Sequence, residues 1–98
     1  MFRVVYEWKV PVAQQQAFQT IWRTTTESIH DTVEGALGSF MLRSSDEPEK
    51  ILTVAKWHSR KHWQQFWGNC NPHQMQKMRA IAERISVETF DELEDRSK

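Results

Sequence analysis

Tyr6, the chain's one tyrosine, is the side chain whose placement most invites chemistry. It falls in an alternating stretch, with Phe2, Val4, Tyr6, Trp8 and Val10 on one face and Arg3, Val5, Glu7 and Lys9 on the other. A strand of this pattern would hold the phenol over an apolar, aromatic interior. There the hydroxyl either hydrogen-bonds a substrate oxygen or is an ordinary core phenol satisfied by a backbone carbonyl. Both readings stay open. Trp22, Trp57, Phe66 and Trp67 are the candidate substrate-binding walls under the first and plain core under the second.

The other reactive side chains are less well placed. His58 and His62 are four apart, but Ser59 reads as a helix cap that leaves His58 outside the helix, and no third ligand follows by spacing. No metal site is expected. His73 falls in the first turn of a later helix, where a surface position is the default. His30 fits the end of the first helix, exposed or facing the helix dipole. Cys70 is the lone cysteine, without an internal disulfide partner or a neighbouring base. No Ser-His-Asp set, phosphate loop or dinucleotide fingerprint is present.

Thirteen Lys and Arg balance thirteen Asp and Glu, so no global field favours nucleic acid or an acidic membrane. Lys56, Arg60 and Lys61 read as solvated charges at a helix start. With no apolar run of signal or membrane length, the expectation is a soluble, cytoplasmic protein. The 98 residues suit a single domain over 1–98. Five tryptophans beside five phenylalanines are unusual in so short a chain, because each buried indole N–H needs a partner.

Elements that could position these residues follow from periodicity. After the first strand, which Pro11 ends, an amphipathic helix over about 13–31 carries Phe18, Ile21, Trp22, Thr25 and Ile29 on one stripe. Gly35 reads as its C-cap. A second strand over about 36–44 and a third from Lys50 to Trp57, joined by the polar turn 45–49, predict an antiparallel hairpin. Ser59 then caps a short helix in which Trp63, Phe66 and Trp67 share a face. Gly68-Asn69 stops it. Asn71-Pro72 starts a helix marked by Met75, Met78, Ile81, Ala82 and Ile85, and a last strand runs from about Ile85 to Leu93 before a polar tail. The order β, α, β, β, α, α, β predicts an α+β, ferredoxin-like domain: a four-stranded antiparallel sheet with helices on one face. Its other face, with Val5 and either Leu52 and Val54 or their alternates, is too apolar to stand bare, so a homodimer packed sheet to sheet is expected.

Trp57-His58-Ser59 followed by Trp63 and Phe66 resembles the W-x-S-x-x-x-W/F-x-x-F/W signature of the antibiotic biosynthesis monooxygenase family, within the dimeric α+β barrel superfamily. The resemblance extends over nearly the whole chain. It implies a homodimeric barrel with a pocket between sheet and helices in each subunit. It also implies, for some members, oxidation of aromatic or quinol-like substrates by molecular oxygen without a metal or other cofactor. Such chemistry asks for a dry aromatic cavity and a base or donor that promotes loss of a substrate proton. Under the resemblance Tyr6 is the leading catalytic candidate. Haem-degrading members carry an Asn, a Trp and a His at places that fall on Tyr6, Phe66 and about Gln76, so none matches. His73, three residues from the last place, is the second catalytic candidate. The rival expectation is a non-catalytic domain that binds a small ligand or a partner on the same fold.

Overall fold

The computed structural model describes residues 1–68 and 72–97; Cys70, Asn69 and the expected Asn71 cap lie outside the described residues. β1 (Phe2–Lys9) behaves as its alternation predicts: Phe2, Val4, Tyr6 and Trp8 are buried, while Arg3, Val5 and Glu7 are half-buried. A 3-10 turn at Val12–Gln14 leads into α1 (Gln15–Thr32), followed by β2 (Ala36–Arg43) and β3 (Lys50–Trp57). α2 (Arg60–Trp67), a 3-10 turn at His73–Met75, α3 (Gln76–Ile81) and β4 (Glu83–Asp91) complete the order. The strands form one antiparallel sheet in the order β2-β3-β1-β4. This is the expected ferredoxin-like α+β arrangement. β1, the most deeply buried strand, lies in the interior of the sheet, and Phe18 of α1 meets Trp8 with ring centroids 5.3 Å apart. Burying rings of this size contributes about 2–3 kcal/mol each.

Local chemistry accounts for the starts and stops. The Ser59 side chain accepts from the His62 amide at 3.2 Å and so caps α2 as its position suggests. The Ser44 hydroxyl accepts from the amides of Asp46 and Glu47, which organises the β2-β3 turn.

Two boundaries and one register differ from the periodicity reading. Gly35 is not the immediate cap of α1: Val33 is, in extended conformation, and Gly35 sits two residues later at φ 86°. The reason is tertiary, since the His62 side chain occupies the space a Cβ at Gly35 would need. In β2, a register shift between Ala36 and Gly38 removes Leu37 from strict alternation and leaves it 41% exposed. α3 stops at Ile81 and β4 starts at Glu83, two residues before the expected Ile85, which lies in the strand and not in the helix and is 49% exposed. Pairing of Glu83 with Lys9 and Arg84 with Trp8 draws the chain into the sheet early, across a shift between Glu7 and Trp8. A ladder alongside β1 satisfies more backbone groups than one further helical turn would.

Candidate functional site

Strand alternation points Tyr6 inward, and α2 supplies its neighbours. Tyr6 is 4% exposed, and its oxygen accepts a hydrogen bond from Trp63 Nε1 at 3.1 Å. The Trp67 ring lies 5.7 Å from the Tyr6 ring and stacks on Trp63 at 5.4 Å. Arg84 of β4 covers Trp67 with its guanidinium 4.9 Å from the ring centroid, a cation–π arrangement. Because the Tyr6 oxygen receives the indole hydrogen, its own hydrogen remains to be donated.

Burial pushes the Tyr6 phenol up to about 12 from its ordinary 10.0, against the opposing pull of the Trp63 N–H and the positive charge of Arg84. At neutral pH it is therefore a hydrogen-bond donor, not a phenolate base. Because this is the chain's one tyrosine, absorbance at the tyrosinate band reads it alone. The expected midpoint is near 12 in the native protein, falling to about 10 in denaturant. The unfolded chain releases this proton first, so it binds fewer protons than the native state between those values. Stability is accordingly full below pH 10 and declines as pH rises through the folded value, by roughly 2 to 3 kcal/mol. A native midpoint at the ordinary value would show that the phenol is solvated.

Tyr6, Trp22, Trp57 and Phe66, with Met75 and Met78, border a cavity of about 50 Å³ between the sheet and the helices. Gly38 also borders it, and an added Cβ there would meet nothing within 4 Å. This volume suits one or a few water-sized groups. Sites that enclose a drug-sized ligand run to several hundred Å³. The bordering groups are mostly apolar, and the Thr53 hydroxyl among them is engaged as acceptor for Trp8 Nε1 at 3.0 Å.

The structure thus brings together four of the six residues singled out from sequence. Trp67 packs on Tyr6 without bordering the cavity. His73 faces a separate groove between α1 and the 3-10 turn, alongside Thr20 and Thr24, because the turn that places Met75 inward carries the residue two positions earlier outward. His30 borders the cavity instead. Its spacing from Trp22 and Ile29 contained a weak hint of this, which its position in the exposed last turn of α1 obscured. Among the described residues no group of three His, Cys, Asp or Glu side chains could hold a metal ion. The His58 and His62 rings meet edge to face at 5.4 Å.

A family model for antibiotic biosynthesis monooxygenase matches residues 1–83. The chain belongs to the antibiotic biosynthesis monooxygenase family. Its fold is shared with solved structures of low sequence identity. SnoaB, a cofactor-independent oxygenase from Streptomyces nogalater, superposes with a TM-score of 0.74 at 14% identity, over 99% of this chain and 97% of that one. The heme-degrader MhuD from Mycobacterium tuberculosis, solved with two hemes in its active site, gives 0.78 at 18% identity, over 99% of this chain and 100% of that one. No curated protein matches the chain by sequence. At these identities the neighbours establish the fold of this family member and not its substrate. No helix among the described residues is long and apolar enough to cross a membrane.

Proposed function

We propose that this family member is a cofactor-independent monooxygenase acting on a small aromatic or quinol-like substrate. The observation that carries the reading is the Tyr6 phenol, protonated and with its hydrogen available, beside a cavity walled by Trp22, Trp57 and Phe66. In this role Tyr6 donates to the substrate oxygen and stabilises the anion formed when the substrate loses a proton. His30 borders the same cavity and has 53% of its side-chain surface open to solvent, which suits it to pass that proton outward. The substrate anion then gives an electron to oxygen and combines with the superoxide formed. For a methylene substrate the balance is one dioxygen consumed, one oxygen atom entering as the carbonyl and the other leaving as water.

Heme does not fit this site. A cavity of about 50 Å³ is far below the size of a porphyrin, and Phe66 stands where the resemblance puts a Trp. The decisive experiment is oxygen uptake with hydroquinones and anthrone-like phenols. Uptake above the buffer rate that depends on Tyr6 supports the reading. Binding without uptake would leave a non-catalytic ligand-binding domain, which the small cavity also suits.

The same proposal includes a homodimer. Phe40, Leu42 and Phe90 on the face of the sheet away from the helices are 46%, 49% and 48% exposed. The register sets Phe40, Val54 and Val5 side by side across three strands. Water contact with such a row is costly. Sedimentation is expected to give twice the 11.7 kDa chain mass, and Val54→Lys, which would bury a charge at the centre of the contact, to give the monomer. A wild-type monomer at all concentrations would remove the barrel.

A further inference from the structure

Ser59 and His62 face each other across the first turn of α2, and the turn from α1 to β2 adds Glu34 beside them. The Ser59 oxygen is 2.6 Å from His62 Nδ1, and the Glu34 carboxylate is 3.9 Å from His62 Nε2. The two sides of the ring together select its tautomer. A carboxylate only accepts, so Glu34 draws the ring hydrogen to Nε2 and leaves the Nδ1 lone pair for the Ser59 hydroxyl hydrogen. The Ser59 oxygen already accepts from the His62 amide at 3.2 Å, which leaves its own hydrogen for that nitrogen. A hydroxyl that donates to an imidazole, itself oriented by a carboxylate, is the arrangement that activates a serine nucleophile. The set is open to solvent: Ser59 is half-buried, and the side chains of His62 and Glu34 are 26% and 91% exposed. Gly35 stands against the imidazole, where a Cβ would lie 2.4 Å from Cγ, and so holds the ring from one side. None of the three residues borders the cavity at Tyr6.

We propose that Ser59 is the nucleophile of a second, acyl-transfer site, with His62 as general base and Glu34 as the residue that positions it, acting on unhindered esters of small carboxylic acids. Ser59 Oγ attacks the ester carbonyl while its proton passes to His62 Nδ1. The same proton leaves on the alcohol when the carbon–oxygen bond breaks. Water, deprotonated by the same nitrogen, then attacks the acyl-serine, releases the acid and restores the hydroxyl. The sum is ester plus water giving acid plus alcohol, with nothing oxidised or reduced. The Arg60 amide follows the nucleophile directly at the start of α2 and has no carbonyl partner within the helix, so it is placed to donate to the oxyanion. An open serine of this kind suits a small acyl group on a good leaving group.

A fluorophosphonate probe and p-nitrophenyl acetate test this in the full chain. The probe is expected to label a single residue, mapped to Ser59 by peptide mass, and the ester to release a burst of nitrophenolate equal to the protein present, followed by slower turnover. Ser59→Asp keeps a capping oxygen at the start of α2 and removes the nucleophile. Label and burst should vanish in it while the near-ultraviolet circular dichroism of the tryptophans stays as in wild type. His62→Gln should slow the burst by about 10²–10³-fold. Glu34→Gln, at an open position, should slow it by about two- to fivefold, the size of a solvent-exposed ion pair. If His62→Gln does not fold, Ser59→Asp decides the question alone. A serine that is only a helix cap would stay unlabelled, and that result would overturn the inference. So would a label on another residue, or a burst that survives Ser59→Asp. The chemistry needs neither oxygen nor Tyr6, so its failure leaves the monooxygenase reading untouched, and the reverse holds.

Discussion

Tyr6→Phe is expected to lower kcat for oxygen-dependent turnover by about 10²–10³-fold, the loss that follows when one donor to a developing oxyanion is removed. KM should change little, because the aromatic walls that bind the ring are untouched. The substitution has a structural effect as well. It takes away the acceptor of Trp63 Nε1, now 3.1 Å from the Tyr6 oxygen, and a buried donor left unpaired costs about 1–3 kcal/mol. The two effects separate in the double variant Tyr6→Phe, Trp63→Phe, which removes both partners. Its stability to urea should exceed what the single losses add up to, while turnover stays low. Steady-state kinetics and urea melts on the three proteins check this. Unchanged kcat in Tyr6→Phe would show that the phenol is only core.

The second large effect lies far from the chemistry. Gly35→Ala is expected to destabilise the fold by about 2–4 kcal/mol, from a backbone conformation unfavourable to L-residues together with overpacking. Gly35 has φ 86°, and an added Cβ would stand 2.4 Å from Cγ and 2.5 Å from Cβ of His62. His62 has little freedom to give way. Its Nδ1 is 2.6 Å from the Ser59 hydroxyl and its amide is held by the same oxygen, while the Gly35 carbonyl accepts from the His58 amide at 2.8 Å. The turn from α1 to β2 is thus locked to the start of α2, the helix that carries Trp63, Phe66 and Trp67. For a domain of this size the melting temperature should fall by roughly 10–25 °C. Gly38→Ala is the internal comparison. It has φ 113° but nothing within 4 Å of an added Cβ, so it should show the conformational penalty of about 1 kcal/mol without the collision. Equal losses at the two positions would show that His62 yields easily.

Much of the fold was legible because its signals are local. The alternation of β1 has one strong solution, since a shift of one residue would expose Phe2, Val4, Tyr6 and Trp8 together. Ser59 and the i, i+3, i+4 spacing of Trp63, Phe66 and Trp67 specify a capped helix with one aromatic face, and the structure has it. The missed boundaries lie where distant segments decide. Ile85 fits both the end of a helical stripe and the start of a strand in the sequence, and the pairing of Glu83 and Arg84 with β1 decides for the strand. Alternation along β2 sets Leu37 on the same face as Ser39 and Met41, but the irregular pairing with β3 turns it outward.

The candidate site divides the same way. Local periodicity alone determines that Tyr6, Trp22, Trp57 and Phe66 face an interior, because each is set by the period of its own strand or helix. Periodicity does not say which neighbours those faces meet. Only the tertiary structure decides that Trp63 gives its hydrogen to Tyr6 and that Trp8 pairs with Thr53, while Trp57 Nε1 is left without a partner among the described residues. It likewise puts His30 at the cavity and His73 in another groove. Hydrogen bonds between side chains 45 and 57 residues apart depend on how strands and helices pack, and their geometry tolerates errors of only a few tenths of an ångström. Sequence spacing specifies a face; the packing of one face on another determines which buried donor meets which acceptor.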